Sequence, residues 1–129
     1  MSMDGTEDAL KTIANSIVRE GTTTFLATTM TQSPENIIAA MSAVKSYREQ
    51  NLKSGAELLG VHLEGPFISL KHVGAQPPSY VVNPSVEVFK KYSEASGDCI
   101  KIVSLAPEAD GAIIFSAAFI PSTAADIIP

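Results

Sequence analysis

The chain has 129 residues, and its 14 acidic against 9 basic side chains leave a formal net charge of −5. That balance excludes a nucleic-acid binder, which needs a basic face, and offers nothing to an anionic membrane surface. A 45% hydrophobic and 18% charged composition excludes intrinsic disorder, and the mean hydropathy of +0.17 is apolar for a small domain, as if some surface were meant to be covered.

Asp4 and Glu7 stand at capping-box spacing, and Leu10, Ile13, Ala14, Ile17 and Val18 follow at helical intervals up to Gly21. Thr22 to Met30 is rich in β-branched residues and predicts a strand. Ser33-Pro34 is a helix start, with Ile37, Ala40, Met41, Val44 and Tyr47 as its apolar stripe. Glu57 to Glu64 predicts a compact strand, and a long aperiodic loop runs from Gly65 to Asn83. Asn83-Pro84 opens a third helix with Val88, Tyr92 and Ala95 on one face, Gly97 closes it, and Cys99 to Leu105 reads as a further strand. After Glu108, Asp110-Gly111 predicts a tight hairpin into an Ala112–Ile120 strand. The apolar tail from Gly111 to Pro129 is interrupted by Pro121 and by Ser and Thr, so it is not expected to span a membrane.

Helices alternating with strands imply a parallel sheet in an α/β protein. In the second strand Val61 and Leu63 point one way, while Gly60, His62 and Glu64 point the other. One apolar and one polar face ending in a carboxylate suits a (β/α) barrel better than a doubly wound sheet, whose strands are apolar on both faces. The threonine-rich first strand fits the same picture. The expected fold is a partial TIM-type barrel of about three βα units with parallel strands and an atypical C-terminal strand, residues 1–109 forming the barrel part and 110–129 an apolar tail.

Barrel chemistry collects at the carboxyl ends of strands, where Glu64 precedes Gly65-Pro66. Read alone, Glu64 is either a site residue or a solvated strand-end carboxylate. His62, two residues earlier on the same face, either joins it on a divalent metal or supports the site or core by hydrogen bonding. His72 reads as a solvated loop histidine, Cys99 as a small buried hydrophobe, and Glu108 as a strand-end acid with no companion in the sequence. A single cysteine precludes an internal disulfide and a cysteine metal cluster, and with no basic-then-apolar leader the expected compartment is the reducing cytoplasm. No nucleophile triad or phosphate loop is visible.

The run Gly60-Val61-His62-Leu63-Glu64-Gly65-Pro66-Phe67-Ile68-Ser69 with Gly74-Ala75-Gln76 resembles the N-acetylglucosamine-6-phosphate deacetylase family of metal-dependent amidohydrolases. Gly21 to Thr29 and Val103-Ser104-Leu105-Ala106-Pro107-Glu108 match the family in the same order, so the resemblance covers about residues 3 to 109. It implies hydrolysis of N-acetylglucosamine 6-phosphate to glucosamine 6-phosphate and acetate. It further implies Glu64 as a metal ligand, Ala75 and Gln76 as contacts to the amino-sugar phosphate, and a zinc-like divalent ion in the complete enzyme.

The family's N-terminal histidine pair would precede Met1, and two further metal histidines and the acid/base aspartate would lie beyond the matched segment. No catalytic residue is therefore expected within this chain, which reads as a fragment inactive by itself. The alternative is a non-catalytic part-barrel that associates with itself or with another chain. Either way, unpaired sheet edges predict oligomers or poor solubility. A related deaminase or dihydroorotase fits the motif pair less well.

Overall fold

A computed structural model of the protein describes residues 5–119. Three parallel strands, β1 (Thr24–Thr29), β2 (Glu57–Glu64) and β3 (Ile100–Ser104), form one sheet in the order β1-β2-β3. Each parallel step needs a crossover. Helix α2 (Pro34–Glu49) connects β1 to β2, and a long loop with α3 (Val86–Ser96) connects β2 to β3.

The local signals act as elementary chemistry requires. Ser33 accepts a hydrogen bond from the Asn36 amide and Pro34 takes the first turn of α2. Gly97 closes α3 in the left-handed region at φ 71°. Helix α1 (Glu7–Ile17) is capped by Thr6, whose side chain accepts from the Ala9 amide, rather than by Asp4, which lies outside the described residues. Helix α3 is capped by Ser85, two residues past the Asn83 that the sequence suggested, because Ser85 takes the extended conformation that lets its hydroxyl reach the Val88 amide.

The helices pack on one face of the sheet. Leu10 and Ala14 from α1, Ile37, Met41, Val44 and Tyr47 from α2, and Tyr92 from α3 bury against Ala27, Leu58, Val61 and Leu63 of the strands. The opposite face carries no helix among the described residues. There Ile102 is 50% exposed, and the polar residues Thr28, His62 and Ser104 lie side by side. One covered and one bare face is the arrangement of a barrel wall seen in part, not of a doubly wound sheet.

Two irregularities set the phase of β2. Register slips between Phe25 and Leu26, whose partners are Leu58 and Gly60, so Leu59 is an extra residue. It slips again on β3, where Val61 faces Ile100 but His62 faces Ile102. Gly60 sits between them because the strands approach too closely for a side chain: a Cβ would stand 2.2 Å from the Cys99 carbonyl oxygen. That carbonyl accepts from the Val61 amide at 2.9 Å.

The expected hairpin and Ala112–Ile120 strand are not formed. The segment is a helix, α4 (Ala112–Phe119), entered directly from Gly111 at φ 86°. A short apolar run does not declare its period, so helix and strand are separated by what it packs on. Here Phe115 is buried with its ring centroid 5.2 Å from Phe67 and 5.7 Å from Phe89, contacts that a helix brings to one side. Residues 120–129, including the rest of the tail, lie outside the described residues.

Candidate functional site

Glu64 is the last residue of the central strand, on the helix-free face with His62 two residues before it. Both are half-buried. Neither a hydrogen bond nor an ion pair engages the Glu64 carboxylate among the described residues, so its four acceptor positions are open toward the barrel side. His62 is held. Its Nε2 lies 2.7 Å from Ser104 Oγ on β3, and its Nδ1 lies 3.5 Å from Thr28 Oγ1 on β1. Each hydroxyl can donate or accept, so either neutral tautomer is accommodated. Both ring nitrogens thus face protein hydroxyls.

Beyond Glu64 the chain turns through Gly65, at φ 91°, and a cis bond to Pro66. Gly65 packs directly on the end of β1, where a Cβ would fall 2.0 Å from Thr31 Oγ1. The loop then folds over the carboxyl ends of all three strands. Ala106 after β3 donates to the Phe67 carbonyl at 2.8 Å, and Val82 donates to the Pro66 carbonyl at 3.1 Å. Gln76 Oε1 accepts from the Thr31 amide at 2.9 Å, tying the middle of the loop to β1. Ala75, beside it, is exposed.

The first strand supplies less polar lining than its threonines suggested. Thr28 faces the open side, but Thr29 and Thr31 are buried and their hydroxyls have no partner among the described residues. Cys99 is a buried free thiol, and His72 is an exposed residue of a short turn, both as expected. Glu108 gains the companions that the sequence did not reveal. Its own backbone amide and the Ser69 hydroxyl hydrogen-bond to it and hold its carboxyl below the ordinary value of 4.5, with His72 and Lys71 adding positive charge. These residues sit by a concavity of about 290 Å³ lined by Ser69, Lys71, Asn83, Glu108 and Asp110. A second concavity, of about 370 Å³ between Lys45, Arg48, Leu58 and Gly97, opens at the other end of the strands, away from Glu64.

A catalytic zinc site uses about three protein ligands. Among the described residues no three His, Cys, Asp or Glu side chains converge on one point. Glu64 fits a divalent ion as one hard oxygen ligand, but the set around it is incomplete and no metal-assisted step can be built from these residues. No helix among them is long and apolar enough to cross a membrane.

No family model matches the chain. It is 46% identical over 111 residues to N-acetylglucosamine-6-phosphate deacetylase of Bacillus subtilis, covering 84% of this chain and 28% of that protein. The enzyme of the same name from Lysinibacillus sphaericus is 43% identical over 83% of the chain and 27% of its own length. An N-acetylgalactosamine-6-phosphate deacetylase from Escherichia coli O157:H7 is 33% identical, covering 86% of the chain and 29% of the relative. Among solved structures, the Mycobacterium smegmatis deacetylase in complex with N-acetyl-D-glucosamine-6-phosphate superposes with a TM-score of 0.76 at 27% identity, over 85% of this chain and 28% of that one. The Pasteurella multocida enzyme superposes with a TM-score of 0.71 at 28% identity, over 83% and 27%. This chain spans little more than a quarter of the length of the proteins it matches. It is a relative of the N-acetylglucosamine-6-phosphate deacetylases, sharing the sequence and fold of one part of their barrel.

Proposed function

We propose that this chain supplies part of the active site of an amino-sugar-phosphate deacetylase and is catalytically silent by itself. The reaction is hydrolysis of the acetamide of N-acetylglucosamine 6-phosphate. Water adds to the amide carbonyl, the C–N bond breaks, the amine takes a proton, and acetate and glucosamine 6-phosphate leave. The observation that carries the reading is the unengaged Glu64 carboxylate at the carboxyl end of the central strand, under a loop tied down through Gln76. In this reading Glu64 is one ligand to a zinc-like ion, which would polarise the carbonyl and lower the pKa of water. His62 holds the strand ends beneath it, and Ala75 and Gln76 meet the sugar phosphate. The free thiol of Cys99 fits a reducing, cytoplasmic setting.

Two measurements test this. The purified 129-residue chain, given zinc and either the gluco or the galacto substrate, releases no acetate; metal-dependent release would overturn the reading of an incomplete site. Grafted in place of the matching segment of the Bacillus subtilis relative, residues 3–109 support acetate release, and Glu64→Gln in the graft lowers it by roughly a hundredfold or more. Activity untouched by Glu64→Gln would remove Glu64 from the site.

A second reading, a non-catalytic part-barrel that self-associates, is favoured by one observation. Ile113 and Ile114 of α4 are 82% and 75% exposed, and Ile102 on the bare sheet face is 50% exposed. It predicts concentration-dependent oligomers by light scattering, and a monomer at high concentration would oppose it.

A further inference from the structure

We infer that the concavity at the amino-terminal end of the sheet is a second binding site, whose charges suit a small zwitterion carrying an anionic group and a protonated amine. It holds about 370 Å³, within the span of roughly 300–1,000 Å³ that small-ligand sites occupy. Two cations, Lys45 and Arg48, and two carboxylates, Glu49 and Glu57, line it together with Tyr47 and Gly97. Glu57 begins β2 and Glu64 ends it, so at ~3.3 Å per residue the site lies about 20 Å from the candidate metal ligand. A molecule bound here does not reach the reacting amide.

The four charges do not neutralise one another. Lys45 and Glu49 stand at i,i+4 on α2, the spacing at which Glu87 and Lys91 of α3 form the only ion pair among the described residues, at 3.6 Å. Lys45 instead lays its stem over Gly97, where a Cβ would stand 3.3 Å from the lysine Cγ. Gly97, at φ 71°, thus serves both the left-handed end of α3 and the passage of the lysine. Arg48, three residues on, shares that side of α2 and is likewise without an ion-pair partner among the described residues. Tyr47 is 6% exposed, and its hydroxyl has no hydrogen-bond partner among the described residues. Burial holds its pKa above the ordinary 10.0, so it remains a neutral donor.

Unpaired charges of both signs in one concavity select a ligand that presents both. The cations and the Tyr47 hydroxyl suit a phosphate or carboxylate, and Glu49 and Glu57 suit a protonated amine. An anion alone would face two carboxylates, a like-charge contact that opposes binding. An amino-sugar phosphate and a free amino acid both have the required chemistry. An N-acetylated sugar phosphate does not, because acylation removes the amine charge. Choosing the amino-sugar phosphate rests on the deacetylase reading, in which glucosamine 6-phosphate is the product. The selection for a zwitterion does not.

Amide shifts of the full chain, followed by NMR under titration, test the site. Glucosamine 6-phosphate gives saturable shifts at Lys45, Arg48 and Gly97. N-acetylglucosamine 6-phosphate, with the same phosphate and no amine charge, binds there on the order of tenfold more weakly. Arg48→Ala weakens both on the order of tenfold. Glu57→Gln weakens glucosamine 6-phosphate by a similar factor without weakening the acetylated sugar, and so removes the preference. Both positions are exposed, so neither substitution opens the core. Glycine separates the two sources: tighter binding by the amino acid keeps the zwitterion site and assigns it to that class. The proposal is overturned if none of the three compounds gives saturable shifts at these residues. It is equally overturned if glucosamine 6-phosphate binds no tighter than its acetylated form and glycine is no tighter than either. The deacetylase reading is judged separately, on acetate release by the graft with and without Glu64→Gln.

Discussion

His62 Nε2 and Ser104 Oγ lie 2.7 Å apart, a hydrogen bond that joins the central strand to β3 directly beneath Glu64. Thr28 stands on the other side of the same ring, so three strands meet through one imidazole on the face that a closed barrel would turn inward. A polar crossbar of this kind holds strand ends in register where no helix packs behind them on that side.

Removing the ring should therefore cost stability through a specific partner. His62→Ala is expected to lose about 1–2 kcal/mol in chemical denaturation, and Ser104→Ala about 1 kcal/mol. The double variant should lose less than the sum, because both substitutions delete the same bond. Full additivity would mean that the contact carries no energy. His62→Gln, whose carboxamide can reach the Ser104 hydroxyl, should recover part of the loss.

Two loop glycines separate backbone conformation from steric fit. Gly65 and Gly74 both have positive φ, at 91° and 62°, but a Cβ on Gly65 meets Thr31 at 2.0 Å while one on Gly74 meets nothing within 4 Å. Gly74→Ala is expected to cost about 1 kcal/mol, the conformational penalty alone. Gly65→Ala should cost more than about 2 kcal/mol, because the loop must lift from β1 as well. Similar thermal midpoints for the two variants would contradict the close packing of Gly65 on Thr31.

The terminal helix is anchored by its aromatic side. Phe115 contacts Phe67, Phe89 and Phe119, and Phe115→Ala is expected to destabilise by about 3–4 kcal/mol. Ile113→Ala, at an 82% exposed position, should stay within about 0.5 kcal/mol of wild type. A strand in this segment would instead place alternate residues on one face, and the large effect would not single out Phe115 in this way. Helix content by circular dichroism should fall with Phe115→Ala.

Stability should decline at both pH extremes for identifiable reasons. Glu108 titrates below its ordinary 4.5 in the folded chain, so its contribution is present above 4.5 and is lost as pH falls through the folded value. Ser69→Ala should make that acid limb shallower. Tyr92 titrates above its ordinary 10.0, chiefly because burial disfavours the phenolate and secondarily because Glu35 is near. Its contribution is present below 10.0 and is lost as pH rises through the folded value. Tyr92→Phe should therefore resist alkaline unfolding better than wild type relative to each protein's neutral stability. An unchanged alkaline limb would exclude Tyr92 as its source.

Much of the fold and part of the candidate site could be read along the chain. The apolar stripe of α2 is buried at every expected position, because a helix's period alone decides which side chains share a face. The bounds of β2 and the opposite facing of Val61 and Leu63 from His62 and Glu64 follow in the same way from the period of two. The family motif around Glu64 and the Ala75-Gln76 pair was also legible, since it lies within one contiguous stretch. Tertiary structure decided the rest. Whether Ala112–Phe119 became strand or helix depended on Phe67 and Phe89, which are distant in sequence. That His62 bonds Ser104, that Gln76 turns its oxygen to Thr31, and that Glu108 finds Ser69 are pairings across separate segments. Periodicity sets the direction of a side chain along its own element; only the packed chain determines what stands opposite it.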